Sequence, residues 1–256
     1  MANLKDKLYT KSIVLGTMLS EVCTPNITRV IKAGGFDFLI VDSEHGYFDY
    51  HQIANIVSVC NGFNLPVIIR VPTNGRENIT KVLDMGADGL LIPMINSADD
   101  IRRVVKYAKY APAGARGIST TRAHTNYSPP PLAEYTRFAN EHTIILAQIE
   151  TREALLNAEA IAAVEGVDAL IIGPNDLAMD MGTPGNFNTD DMKNGIETVV
   201  SASGKAGKPC GIIASDIDFL HKCTDKGMTI FSCNSEVGMI MISAKKIIRD
   251  FYSNQK

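Results

Sequence analysis

Hydrophobic residues in this chain come in short, nearly continuous runs. They occupy 12–19 (SIVLGTML), 36–42 (FDFLIVD), 66–71 (PVIIRV), 89–95 (GLLIPMI), 143–149 (TIILAQI), 168–173 (DALIIG), 209–214 (PCGIIA) and 228–233 (MTIFSC). Runs of this kind suit strands buried on both faces, as in a parallel sheet covered by helices. Between and after them lie eight helix-length segments: 24–35, 50–62, 77–89, 97–110, 151–166, 190–207, 215–227 and 235–252. Several open on Ser, Thr or Asp and several close near Gly, the residues favoured at N-caps and left-handed C′ positions. Eight β-then-α units without a dividing linker predict an α/β chain folded as one (β/α)8 TIM barrel over residues 1–256. An open doubly wound sheet is the alternative.

One stretch breaks the rhythm. Residues 110–141 form a long connection between the fourth and fifth units, with Pro129, Pro130 and Pro131 in succession and a short helix-like end. Such an insertion at the C-terminal face would be a lid or binding loop; a solvent-exposed or interface excursion is the plainer reading.

In a barrel, reactive side chains come from the C-terminal ends of strands. That rule selects Asp42, Glu44 and His45 after the second run, Arg70 in the third, Gln148 and Glu150 at the fifth, and Asn175 and Asp176 after the sixth. Glu150 and Asp176 end neighbouring strands, spaced ~5 Å apart in any sheet. Two carboxylates so placed suit a hard divalent cation with positions left open for substrate. The competing reading pairs Glu150 with Arg152 or Arg70. His45 lies three residues beyond Asp42, which offers its imidazole a local carboxylate and a role as general base. Arg70 suits an oxyanion or enolate, or an ion pair with Asp42, Glu44 or Glu150. Gly173 and Pro174 turn the chain so that N–H groups at Asn175 and Asp176 can face a substrate carboxylate. No lysine ends an expected strand, which disfavours a Schiff-base aldolase.

Composition narrows the partners. With 25 Lys and Arg against 28 Asp and Glu, the net charge of −3 leaves no electrostatic footprint for nucleic acid, so a small molecule is expected. The five cysteines lack C-x-x-C spacing, and the N-terminal segment has no apolar stretch suited to secretion or to spanning a bilayer. A cytoplasmic protein without membrane contact is expected.

Taken together, the blocks FDFLIVDSEHG, VIIRVP, KVLDMGADGLLIPMINSADD, YAPAGARGIS, ILAQIETREALLNAEAIAAVEGVDALIIGPNDLAMDMG and IFSCNSEVGMIMISAKK resemble the class II, metal-dependent pyruvate aldolases of the HpcH/HpaI type over residues 12–250. The resemblance implies reversible cleavage of a 4-hydroxy-2-oxo acid to pyruvate and an aldehyde through a metal-stabilised pyruvate enolate, with no organic cofactor. It implies one divalent ion per subunit (Mg²⁺, Mn²⁺ or Co²⁺) on Glu150 and Asp176. Arg70 would stabilise the enolate oxygen and His45 would act as base on the hydroxyl. Gln148, Gly173, Asn175 and Asp176 would contact substrate, Asn175 through its backbone N–H. The implied fold is the phosphoenolpyruvate/pyruvate-type barrel, its last helix exchanged in dimers that build hexamers. Asp84 would raise the basicity of the histidine, yet it ends a helix at the far end of its own barrel and would reach His45 only from a neighbouring subunit. Asp42 is its local competitor.

Two segments depart from the family pattern: Met18 stands where a Trp is common, and RGISTTRAHTNY lacks the usual Gly-rich form. Both are expected near the aldehyde half of the substrate. A citramalyl- or malyl-coenzyme A lyase would need a cationic surface, for which Arg102, Arg103, Lys106 and Lys109 are the candidates. A non-catalytic carboxylate-binding barrel is the remaining alternative.

Overall fold

In a computed structural model, which describes residues 4–10 and 12–253, eight parallel strands close into a barrel in sequence order. They are β1 (Val14–Leu19), β2 (Phe38–Asp42), β3 (Val67–Arg70), β4 (Gly89–Ile92), β5 (Ile144–Ile149), β6 (Ala169–Ile172), β7 (Cys210–Ala214) and β8 (Ile230–Ser235). The helices are α1 (Leu4–Tyr9), α2 (Ile27–Ala33), α3 (Tyr50–Gly62), α4 (Arg76–Asp84), α5 (Ala98–Ala108), α6 (Leu132–His142), α7 (Arg152–Leu156), α8 (Ala158–Ala162), α9 (Pro174–Asp180), α10 (Asp190–Lys205), α11 (Ile217–Asp225) and α12 (Glu236–Ser253). Among the described residues, no helix is long and apolar enough to cross a membrane.

Ser97 and Thr151 cap where expected, the caps of α10 and α11 fall one residue away on Thr189 and Asp216, and α2 starts after Asn26 with no side-chain cap. Asp49 and Ser97 form capping boxes with Gln52 and Asp100, and Thr151, Thr189 and Asp216 each accept a first-turn N–H. The segment expected as one helix over 151–166 is two, broken at Asn157, whose side chain donates to the Asn96 carbonyl at 2.8 Å. Two further helices carry no strong periodic signal: α9, which starts on Pro174 at its first position, and α1.

Burial on both strand faces divides the core. Outward residues such as Leu39, Ile69, Ile92 and Leu170 pack under the helices. Inward ones, including Val14, Met18, Phe38, Ile40, Ile68, Leu91, Leu146 and Ile171, fill the barrel, and Leu4 and Leu8 of α1 close its lower end. Gly16 makes room for the largest of them: a Cβ there would lie 2.5 Å from the Phe38 ring. At the lower rim, Asp37, Asp88 and Asp168 accept the N–H of Leu15, Val67 and Ile145 on the preceding strand, at 3.0, 2.8 and 2.8 Å. Three of the even-numbered strands are thus clamped to their odd-numbered neighbours.

The long connection leaves α5 and enters β5. A helix-to-strand link lies at the N-terminal face, so the expectation of a lid over the C-terminal face is corrected by chain direction alone. A 3₁₀ turn in it, Ala123–Thr125, rests on α4, far from its own barrel mouth. α12 does not complete the ring: its one buried residue is Glu236, while Ile240, Ile242, Ile247, Ile248 and Phe251 are exposed.

Candidate active site

Charge replaces aliphatic side chains at the upper ends of β2, β3 and β5. Asp42 and Arg70 are register partners on adjacent strands, so both side chains leave the sheet on the same face. Arg70 Nε donates to Asp42 Oδ1 at 2.8 Å and Nη2 to Oδ2 at 2.6 Å, a two-pronged pair that fixes the guanidinium plane. Nη1 lies 3.3 Å from Glu44 Oε2, and Nη2 meets the Met18 thioether at 3.8 Å. With five N–H donors, the guanidinium is not exhausted by these contacts. Burial opposes both charges, but the Arg70 hydrogen bonds and charge outweigh it and hold the Asp42 carboxyl below its ordinary range, while Asp42 raises Arg70 in turn.

Glu150 is 2% exposed. Its Oε1 accepts the Met94 N–H at 2.6 Å, and Oε2 accepts from Gln148 Nε2. Among the described residues no cation forms a salt bridge with it; Arg152, the partner weighed against a metal, instead donates to the Asp180 and Met181 carbonyls. Burial pushes the Glu150 carboxyl up, and the nearby Asp176 charge pushes it further, against the Met94 and Gln148 hydrogen bonds and Arg70. Glu44 is raised for the same first reason, with Glu150 and Asp42 adding to it. Gln148 is buried with Oε1 unpartnered. Gly173 closes the cradle, since a Cβ there would lie 2.5 Å from Glu150 Oε2 and 2.8 Å from Gln148 Nε2. This set of hard oxygen donors, one carboxylate buried without a salt bridge and one amide oxygen unused, fits a divalent cation. Among the described residues no group of three or more His, Cys, Asp or Glu side chains is placed to hold a metal ion.

Asp176 and Asn175 sit in the first turn of α9, exposed at the mouth. Leu177 N–H donates to Gly173 O at 3.1 Å, and Gly173 has no capping side chain.

The imidazole of His45 is exposed, with Nε2 4.0 Å from Glu44 Oε2. Neither expected aspartate reaches the ring within this chain. Asp42 is engaged by Arg70 and by the backbone N–H of Glu44 and His45, at 3.0 and 3.4 Å, which corrects its expected pairing with the imidazole. Asp84 ends α4 at the other end of the barrel, where Arg116 Nη2 donates to it at 2.6 Å and His124 Nε2 stands 3.9 Å away.

Sequence reasoning missed Met94. It lies inside an expected strand, but Pro93 ends β4 and Met94 takes a left-handed φ of 53° that aims its N–H at Glu150. A proline in an apolar run was the available signal. The coenzyme A alternative loses most of its cations: Arg102 and Arg103 pair with Asp99 and Asp100, and Lys109 is buried against the Asn140 and Thr143 carbonyls.

The sequence profile of the HpcH/HpaI aldolase/citrate lyase family matches residues 18–243. The chain belongs to this family. It is therefore an enzyme of the aldolase type, a carbon–carbon lyase. The hydroxypyruvate/pyruvate aldolase of Roseovarius nubinhibens is 32% identical over 244 residues, 95% of this chain and 94% of that protein. The 5-keto-4-deoxy-D-glucarate aldolase of Salmonella paratyphi A is 32% identical over 247 residues, 96% and 95% of the two chains. The crystal structure of an HpcH/HpaI aldolase from Desulfitobacterium hafniense superposes with a TM-score of 0.94 at 32% identity, covering 98% of this chain and 97% of that one.

Proposed function

We propose that this HpcH/HpaI family member reversibly cleaves a 4-hydroxy-2-oxo acid into pyruvate and an aldehyde, using one divalent cation, Mg²⁺, Mn²⁺ or Co²⁺, held by Glu150 and Asp176. The observation that carries the reading is Glu150, a buried carboxylate with no salt bridge among the described residues, beside a second carboxylate and two strands along the barrel from Arg70. A cation bound there supplies Lewis acidity toward the carboxylate and keto oxygens of a 2-oxo acid. Gln148 and the Met94 N–H orient Glu150. The Asn175 and Asp176 N–H groups receive the substrate carboxylate. Arg70, locked in plane by Asp42, presents its remaining donor to the oxygen that gains charge as the enolate forms. His45 Nε2 takes the proton of the C4 hydroxyl, and the exposed ring leaves room for a carboxylate of another subunit, the role we assign to Asp84. The apolar face of α12, turned away from its own barrel, supports exchange of this helix within a dimer, and dimers assembling into hexamers.

The test is C3 proton exchange of pyruvate followed by NMR with Mg²⁺, Mn²⁺, Co²⁺ or a chelator. Exchange that requires metal and disappears in Arg70→Ala and Glu150→Ala is expected. Wild-type protein without metal-dependent exchange would sink the proposal.

A further inference from the structure

Glu236 is the one buried residue of α12 and is 2% exposed, and the site chemistry above makes no use of it. Its carboxylate is held by the loop after β1. Oε1 accepts the backbone N–H of Ser20, Glu21 and Val22 at 3.0, 2.6 and 3.0 Å, and Oε2 accepts Ser20 N–H at 3.0 Å and Ser20 Oγ at 3.3 Å. Three successive N–H groups converging on one anion form a nest. Among the described residues no cation pairs with this carboxylate, so the loop backbone is what compensates its charge.

A bulge directs it there. Gly16 pairs with Ser232, but Met18 pairs with Ser235, so β8 carries one extra residue against β1. The extra residue centres on Asn234, in the left-handed region at φ 62°, which Asn tolerates. Thr17 Oγ1 donates to the Asn234 carbonyl at 3.2 Å, and Asn234 Oδ1 accepts the Ser235 N–H at 2.9 Å. In an unbroken strand Glu236 would continue the inward series of Ile230 and Ser232 and add a fifth acid to a mouth already holding Asp42, Glu44, Glu150 and Asp176. The bulge puts Ser235 opposite the inward Met18 and turns Glu236 to the loop, the re-aiming of a side chain that bulges bring about beside active sites.

The held loop in turn backs the His45 turn. A Cβ on Gly46 would lie 2.7 Å from the Ser20 carbonyl and 2.2 Å from the Asp42 carbonyl, so these backbones touch directly next to His45. We infer that Glu236 is a positioning residue for the His45 turn, acting through Ser20–Val22 and tying that turn to the first turn of α12. The inference rests on the aldolase reading for its catalytic consequence and on geometry alone for its mechanical one.

The test compares two half-reactions in Glu236→Ala and Glu236→Gln. Pyruvate C3 exchange uses the Arg70 and Glu150 side; carbon–carbon bond formation, assayed with pyruvate and the fastest of acetaldehyde, glycolaldehyde and glyoxylate, also needs His45. Glu236→Ala is expected to lose about tenfold to a hundredfold in bond formation, with exchange kept within about twofold. Glu236→Gln, which keeps one acceptor oxygen but not the charge, is expected to lose about threefold to tenfold selectively. Equal losses in both reactions, or wild-type bond formation in a folded variant, would overturn the inference. Should the alanine variant not fold, the glutamine variant decides. Hydrogen–deuterium exchange of the 42–48 segment reads the mechanical part without activity: faster exchange in the variants is expected, and unchanged exchange overturns it. Wild-type protein without pyruvate exchange removes the aldolase reading, while this last measurement still decides the contact.

Discussion

Gly173→Ala is a small change whose effect can be worked from the structure. Gly173 has φ −94° and ψ 89°, a backbone any residue can adopt, so strain is not introduced at the position itself. The added methyl would stand 2.5 Å from Glu150 Oε2 and 3.1 Å from Glu150 Cβ. Opening the first contact to the ordinary 3.4 Å moves that oxygen by about 0.9 Å. Glu150 cannot swing freely, because Oε1 is held by the Met94 N–H at 2.6 Å. Overpacking of this kind costs about 1–3 kcal/mol, offset by about 0.4–1 kcal/mol from the stiffer unfolded chain. The net loss is at most ~2.6 kcal/mol, a fall of no more than about 10 °C in melting temperature. A misplacement near 1 Å at a reacting centre costs up to about a hundredfold in rate. Mn²⁺ titration calorimetry, pyruvate exchange and thermal melting on one preparation separate these effects. A variant that melts no more than about 10 °C below wild type yet loses about tenfold or more in Mn²⁺ affinity and exchange is expected. Wild-type Mn²⁺ affinity together with wild-type exchange would refute the cradle.

The Arg70–Asp42 pair is expected to show strong coupling. Arg70→Ala leaves Asp42 buried without its counter-charge and should cost about 3–5 kcal/mol in urea unfolding, whereas Arg70→Met with Asp42→Leu should cost less than either single change; additive losses would refute the pairing. Stability should depend on pH and metal together. The folded-state pKa values of Glu150 and Glu44 are raised by burial above the ordinary 4.5. Their favourable contribution in metal-free protein is complete below the unfolded value and is lost as pH rises through the folded one. Metal binding to the deprotonated site should therefore raise the melting temperature progressively more as pH increases over that window, and a metal effect independent of pH would count against Glu150 as ligand. Asp42 works in the opposite sense: its lowered pKa gives stability above 3.8 that is lost on acidification through the folded value. Finally, Ile247→Asp with Phe251→Asp on the exposed face of α12 should reduce the sedimenting species to a smaller one, and a wild-type protein that sediments as a monomer would remove the helix-exchange proposal.

The alternation of apolar runs and helical segments was enough to predict a covered parallel sheet and, from eight units without a linker, to favour a closed barrel over an open sheet, because strands buried on both faces must be almost uniformly apolar. The residues ending those strands were legible for the same reason: Asp42, Arg70, Gln148 and Glu150 are polar interruptions in segments that otherwise exclude polarity. Periodicity says nothing about which polar residue meets which, and there the tertiary structure decided. Asp42 and Arg70 are 28 positions apart in the chain and become neighbours only through strand register, which takes Asp42 away from the His45 ring. The long connection was plain in the sequence, but its end of the barrel follows from chain direction around the ring. Met94 had only Pro93 before it as a sequence signal and Glu236 had none, because each is aimed by one left-handed backbone residue, Met94 itself and Asn234. α12 carries an apolar stripe that would look the same whether it covered its own barrel or a partner's, and only the folded chain shows it pointing away. Sequence alone showed which strands must be buried; the contacts among their polar ends, and the burial of Glu236, depend on register, bulges and chain direction, which arise only when the strands close.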